Sequence, residues 1–271
     1  MLDVHDHNRR AWDRRARDGK RFTRPAGPEA LFNPMKTVDG VGWLTGPDAV
    51  AGKRLLALGA GGGKHAAIYA AAGARVTVVD ISEAMLELDA KVAAERGLDI
   101  TPVRASMDDL SALADAIFDV VIHPVSTCYV PDVAPVYAEV ARVTKPGGVY
   151  ISQHKQPASM QGGVKPAPSG KGYEIVEPAD RTGPLPAVTG SLHREEGTIE
   201  FLHTWEQLLG GMCRAGFVIE QLIEPRHGDA KAKPGTFEHR SRWLPPYVRV
   251  KARRVAPVQS TSARPALWTP Q

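Results

Sequence analysis

Leu55-Leu-Ala-Leu-Gly59-Ala-Gly-Gly-Gly63-Lys-His-Ala66 passes from an apolar run through a cluster of glycines into an alanine-rich stretch. The apolar run reads as a strand buried on both faces. Glycines at its end allow a tight turn and let the backbone approach a ligand with no Cβ in the way. A helix starting just beyond leaves its first N–H groups free for a polar partner. The next apolar run, Arg75-Val-Thr-Val-Val-Asp80, ends in a carboxylate about 20 residues past Gly59, where it can accept hydrogen bonds from both hydroxyls of a ribose. The same carboxylate could instead cap the helix that Ile81-Ser82-Glu83 begins.

Working outward, strand-like runs at 54–58, 75–79, 100–104, 120–123 and 149–153 alternate with helical stretches. That rhythm predicts βαβ units, an α/β fold with a mostly parallel sheet and helices on both faces. Residues 1–45 read as one or two amphipathic helices broken near Pro25–Pro28, forming an N-terminal helical lid. Residues 46–255 form the main domain. Within it, 154–200 carries Pro157, Pro166, Pro168, Pro178, Pro184 and Pro186, and is read as an inserted cap over the substrate. Residues 204–216 predict a helix ended by glycine, and strands follow at 217–223 and 247–253. The Pro/Ser/Thr-rich stretch 256–271 reads as a flexible tail.

At 271 residues the chain can bury a sizeable core without disulfides. Its two cysteines, Cys128 and Cys213, have no metal-ligand spacing, which predicts a cytoplasmic setting and no metal site. No apolar run has the length of a membrane helix, and the charged N-terminus lacks a signal-peptide core. The net charge of +4 gathers at the ends, among Arg9, Arg10, Arg14 and Arg15 and among Arg249, Lys251, Arg253 and Arg254. A solvated helix face and a solvated last strand account for it, so nucleic acid is disfavoured as a partner. Nothing in the sequence sets the oligomeric state.

Spacing separates two cofactor classes. The dinucleotide pattern GxGxxG fails at Lys64, whereas GxGxG fits at Gly59, Gly61 and Gly63. Here the chain resembles the class I S-adenosylmethionine-dependent methyltransferase family. Ala74-Arg-Val-Thr-Val-Val-Asp80-Ile-Ser-Glu-Ala-Met85 resembles its second motif, and Val103-Arg-Ala-Ser106-Met107-Asp108-Asp-Leu110 its adenine-binding turn. Phe118-Asp-Val-Val-Ile-His123-Pro-Val-Ser126 resembles its fourth strand. Glu139-Val-Ala-Arg-Val-Thr-Lys-Pro-Gly-Gly148 is similar to its helix–PGG–strand signature. The resemblance implies a seven-stranded Rossmann-like sheet in the order 3-2-1-4-5-7-6 with a helical and loop cap. It also implies S-adenosyl-L-methionine as cofactor, S-adenosyl-L-homocysteine as product, and Gly59, Ala60, Gly61, Gly63, Asp80, Ile81, Met85, Ser106, Met107, Asp108 and His123 as cofactor-binding residues. Two positions depart from the family: Ala57 stands where an acid is frequent, and Ser106 where Asp is frequent.

Displacement at a sulfonium needs mainly alignment, and a base only if the acceptor loses a proton. His154, after the fifth strand, and His123, ending the fourth, are the catalytic candidates. His123 could equally pack on the methionine end of the cofactor, and His154 could bind substrate. Ser126, Thr127 and Tyr129 could orient an acceptor, and Trp12, Phe22 and Trp43 could wall it. The expected reaction is methyl transfer to oxygen or nitrogen of a small molecule. An RNA-directed or non-catalytic binding protein is the alternative, and an NAD(P)-dependent oxidoreductase is a further one.

Overall fold

Leu56 and Leu58 pack into one apolar core with Val121, Tyr137, Val140 and Met212. Leu55 and Ala57 pack into a second with Val76, Val120 and Tyr69. Successive side chains of a strand point to opposite faces, so β1 (Arg54–Leu58) is covered on both sides. Each fully buried leucine contributes roughly 1.5–3 kcal/mol of transfer free energy. Apolar residues at consecutive positions are therefore what a covered parallel strand requires. The structure is a computed structural model and describes residues 3–255. The predicted tail at 256–271 lies outside the described residues.

The sheet order is β3-β2-β1-β4-β5-β7-β6, as the resemblance implies. It is built from β2 (Arg75–Asp80), β3 (Ile100–Arg104), β4 (Phe118–His123), β5 (Thr144–Lys155), β6 (Phe217–Ile223) and β7 (Tyr247–Arg254). The first five strands are parallel neighbours, and β7 runs antiparallel between β5 and β6. β5 starts earlier than its apolar run, because Thr144 pairs with Phe118 before the register shifts around Pro146-Gly147-Gly148. Gly147 there has φ +79°, a conformation that suits glycine.

The helices are α1 (Val4–Arg17), α2 (Pro28–Phe32), α3 (Pro34–Val38), α4 (His65–Ala71), α5 (Glu83–Arg96), α6 (Ala134–Val143), α7 (Pro157–Gln161), α8 (Gly211–Arg214) and α9 (Phe237–Arg240). The stretch predicted as one helix at 204–216 is a π-helical segment, Glu206–Gly210, leading into α8. Gly211 lies so close to the Tyr137 ring that a Cβ would sit 2.9 Å from it. α5 has both terminal signals: Ser82 Oγ accepts from the Met85 N–H, and Gly97 closes the helix at φ +59°.

The segment after β5 is anchored rather than loose. All five N–H donors of buried Arg240 are used, on Ser159, Gly162, Gly163 and the His193 ring. Part of the positive charge at the ends is paired with carboxylates: Arg9 with Asp6 and Asp13, Arg253 with Asp48 and Glu220, Lys251 with Asp48. Among the described residues no helix is long and apolar enough to cross a membrane.

Candidate active site

The turn after β1 is fixed by contacts that leave no room for side chains. The Gly59 N–H donates to the Val79 carbonyl at 2.8 Å, and its φ is +56°. A Cβ on Gly59 would lie 2.6 Å from Ser126 Oγ, and one on Gly61 would lie 2.8 Å from Asp80 Oδ2. The Gly61 N–H donates to Asp80 Oδ2 and the Ser82 N–H to Asp80 Oδ1, both at 2.9 Å. Each carboxylate oxygen so keeps a lone pair for a further donor. Burial raises the Asp80 pKa to about 6, against the opposing pull of these N–H groups. Behind the turn, Asp89 Oδ2 accepts from the Gly62 N–H at 2.9 Å.

A cavity of about 390 Å³ opens at the carboxyl ends of β1, β2 and β4, the edge where ligands sit in open α/β sheets. Of the sequence-predicted cofactor residues, Gly59, Ala60, Gly61, Asp80, Ile81, Met85, Ser106 and Met107 line it together. Gly63, Asp108 and His123 do not. Gly63 has φ +71° and faces away, where a Cβ would meet the Leu88 carbonyl at 3.0 Å and Pro25 at 3.2 Å. Its glycine serves the turn and the packing on α5. Asp108 is turned from the cavity to accept from Ser106 Oγ and to meet His5 Nε2 at 2.9 Å.

Both histidines proposed as bases also lie off the cavity. His123 is 1% exposed, with Nδ1 2.8 Å from the Tyr150 hydroxyl and Nε2 2.7 Å from Ser126 Oγ. His154 is fully buried, bonded through Nδ1 to Thr127 Oγ1 at 2.9 Å and through Nε2 to Ser152 Oγ at 2.8 Å. Burial lowers both pKa values to about 3. Strand alternation is the reason for the misplacement of His154. Tyr150, Ser152 and His154 share one face of β5, and Gln153 on the other face reaches the cavity. Trp43 likewise packs in the second core rather than on the cavity wall, whereas Trp12 and Phe22 do line it.

The far side of the cavity joins Trp12, Phe22 and Tyr129 to residues that sequence reasoning did not select. α1 brings His5 and Asn8 alongside Trp12. Asn8 holds the lid down, donating through Nδ2 to the Tyr129 and Ile199 carbonyls at 3.0 Å each. Asp13 Oδ1 accepts from Ser82 Oγ at 2.7 Å and the Ala84 N–H at 3.2 Å, so α1 caps α5 from outside. Glu195, His227, Phe237 and Tyr247 come from the chain beyond β5. Lys155 Nζ donates to Glu195 Oε2 at 2.6 Å and Glu200 Oε1 at 2.5 Å, and the Tyr129 hydroxyl donates to Glu195 Oε2 at 2.8 Å. Phe22, at φ +72°, holds a conformation uncommon for a residue with a side chain, and it sits at the mouth. Of these, only the aromatic residues carried a usable sequence signal.

Comparison with known proteins agrees with this geometry. A methyltransferase-domain family profile matches residues 56–152. The uncharacterized methyltransferase YbaJ of Bacillus subtilis (strain 168) is 33% identical over 241 residues, 82% of this chain and 91% of that protein. A ubiquinone biosynthesis O-methyltransferase of Thiobacillus denitrificans is 34% identical over 123 residues, and the match spans 53% of its length. Among solved structures, an S-adenosylmethionine-dependent methyltransferase from Mesorhizobium loti superposes with a TM-score of 0.60 at 28% identity, covering 76% of this chain and 92% of that one. A geranyl diphosphate C-methyltransferase from Streptomyces coelicolor A3(2), at 17% identity and a TM-score of 0.60, shares the fold. With the seven-stranded order, the glycine turn against Asp80 and a relative matched along most of both chains, the protein belongs to the class I S-adenosylmethionine-dependent methyltransferases, and S-adenosylmethionine is its methyl donor.

Proposed function

We propose that the chain methylates oxygen or nitrogen of a small molecule held between the glycine turn and a lid formed by 1–45 and 154–200. One observation carries the reading: the predicted cofactor wall and the aromatic residues of the lid line a single cavity of about 390 Å³. That volume is in the small-molecule range. Roofing by α1 and the chain beyond β5 favours a compact acceptor over a polymer. Similarity to proteins named as ubiquinone biosynthesis O-methyltransferases supports oxygen among the candidate atoms. The pairing of Arg9, Arg253 and Lys251 with carboxylates takes these three cations from the charge an RNA-directed reading would draw on.

In this reading Asp80 receives the ribose hydroxyls through the lone pairs left free by Gly61 and Ser82. Ile81, Met85 and Met107 supply apolar contacts for the adenine. Ser106 Oγ, whose proton goes to Asp108, keeps its own lone pairs for the adenine amino group. The bare Gly59 and Gly61 let the turn lie against Ser126 and Asp80, where a Cβ would collide with their side-chain oxygens, and so keep the Asp80 carboxylate in place. When bound, S-adenosylmethionine supplies an activated methyl group whose bond to sulfur breaks with the electron pair staying on sulfur. The protein then has to align the acceptor and exclude water.

Calorimetry with S-adenosylhomocysteine tests the reading. The wild-type chain is expected to bind it in the micromolar range, and Asp80→Ala to weaken binding at least about tenfold, the scale of a charge-assisted hydrogen bond. Absence of heat from folded wild-type protein would remove the proposal.

A further inference from the structure

The acceptor half of the cavity has walls whose chemistry is narrower than that of a generic small-molecule site. Resting on the methyl-transfer reading above, we propose that it takes an aromatic ring bearing a hydroxyl, and that Glu195 receives that hydroxyl.

The walls are aromatic. Trp12 and Tyr129 meet edge to face with centroids 5.6 Å apart, and Phe237 and Tyr247 line the same space. Such walls bind flat rings by stacking and edge contacts as well as by area. They would equally suit a cation, but protein cations already occupy these rings. Arg15 lies 5.3 Å from the Trp12 centroid, Lys155 5.9 Å from that of Tyr129 and Arg21 5.8 Å from that of Phe237. A ligand cation would gain little there and would meet positive charge on several sides.

Glu195 is the cavity's acidic group on this side. Its Oε2 accepts from the Tyr129 hydroxyl at 2.8 Å and from Lys155 Nζ at 2.6 Å. With Tyr129, Lys155 and the neighbouring Glu200 carboxyl as side-chain partners, the carboxylate still keeps one of its four acceptor positions for a ligand donor, and Glu195 lines the cavity. Lys155, 2.6 Å from the same carboxylate, already neutralises it, so the site calls for a hydrogen-bond donor without a positive charge. A phenolic O–H meets both demands, because O–H donors form short, strong bonds to carboxylates. Arg194 and Glu200 complete the buried cluster, so Glu195 is held in place rather than free to swing away.

The test is calorimetry on the full chain saturated with S-adenosylhomocysteine, titrated with naphthol, methoxynaphthalene and naphthylmethylammonium. Naphthol is expected to bind at least about tenfold tighter than either of the others, the loss that follows when a donor to a charged group is removed. In Glu195→Gln the preference for naphthol over methoxynaphthalene is expected to shrink to within about twofold, with affinity for S-adenosylhomocysteine retained. If that variant does not fold, the wild-type series decides alone. Naphthol and methoxynaphthalene binding alike, the ammonium ligand binding tightest, or no ring binding to the loaded protein would each overturn the inference. Failure of S-adenosylhomocysteine itself to bind would instead remove the methyl-transfer reading beneath it.

Discussion

At Asp80, burial raises the pKa to about 6 while the N–H groups of Ser82 and Gly61 favour the charged form. Ribose hydroxyls would donate to the ionised carboxylate, so binding and protonation compete. Affinity for S-adenosylhomocysteine is therefore expected to be level above pH 7 and to fall as pH drops through about 6, by up to about tenfold per pH unit below it. Calorimetric titrations between pH 5 and 8 check this, and Asp80→Asn should flatten the profile. For the free protein the sign is opposite. A raised folded pKa favours the neutral acid, so the contribution to stability is full below the unfolded value and is lost as pH rises through about 6. His123 and His154 behave in the contrary sense, because burial lowers each to about 3. The unfolded chain takes up protons first, so their contribution is full above about pH 6.5 and is lost as pH falls toward 3. With both ring nitrogens bonded inside the core, His154 acts on the fold. His154→Ala is expected to cost about 2–4 kcal/mol in denaturant unfolding and to leave S-adenosylhomocysteine affinity within about twofold. A large loss of affinity at unchanged stability would return His154 to the binding site.

Among the elements, α1 depends on a contact with a partner far along the chain. Asp13, buried on its inner face, caps the start of α5 by accepting from Ser82 Oγ, 69 residues away, and from the Ala84 N–H. Losing a helix cap costs about 1 kcal/mol. Asp13→Ala is thus expected to lower unfolding free energy by about that amount in urea titrations, and to weaken S-adenosylhomocysteine binding several-fold through the Asp80–Ser82 turn. An effect on stability with none on binding would show the lid and the cofactor turn to be independent. The amphipathic pattern of α1 was legible, because it is a local periodicity. What its buried face touches was not, because a cap supplied by another helix leaves no spacing signal. The strands show the same division. β1 coincides with its apolar run, since two-sided burial writes itself into consecutive residues. β5 extends back to Thr144, past Pro146-Gly-Gly148, where pairing with Phe118 overrides local propensity. The glycine turn and Asp80 were readable for the same reason as β1, being a short-range steric demand. Gly63 shows its limit, because a glycine required for packing and one required by a ligand look alike in sequence.

For the whole molecule, the decisive unread feature is the ionic cluster that ties the cap to the sheet. Lys155 ends β5, Tyr129 follows β4, and Glu195 and Glu200 arrive from beyond the proline-rich excursion. The sequence marks that excursion by its prolines and glycines, but nothing in the spacing of Lys155, Glu195 and Glu200 announces a buried cluster. Burial alone would lower the Lys155 pKa, yet the Glu195 and Glu200 carboxylates against it raise it, so the ammonium stays charged. Such a cluster need not make the fold more stable than apolar packing would, but removing one partner strands the others. Lys155→Met leaves two buried carboxylates with Arg194 as the remaining nearby cation in the cluster. It is expected to cost about 3–5 kcal/mol, on the scale of a broken buried ion pair. Adding Glu195→Gln and Glu200→Gln to the same chain removes both stranded carboxylates at the cost of the Arg194 partner, and should recover more than half of that loss. The deficit of the single variant should also shrink as pH falls from 8 to 5, because protonating a stranded carboxylate relieves its burial, whereas the triple variant has no such group to titrate. Urea unfolding of wild type, single and triple variants across that range reads all three expectations. A pH-independent deficit that the triple variant does not relieve would mean that Lys155 stabilises the cap by packing rather than by charge.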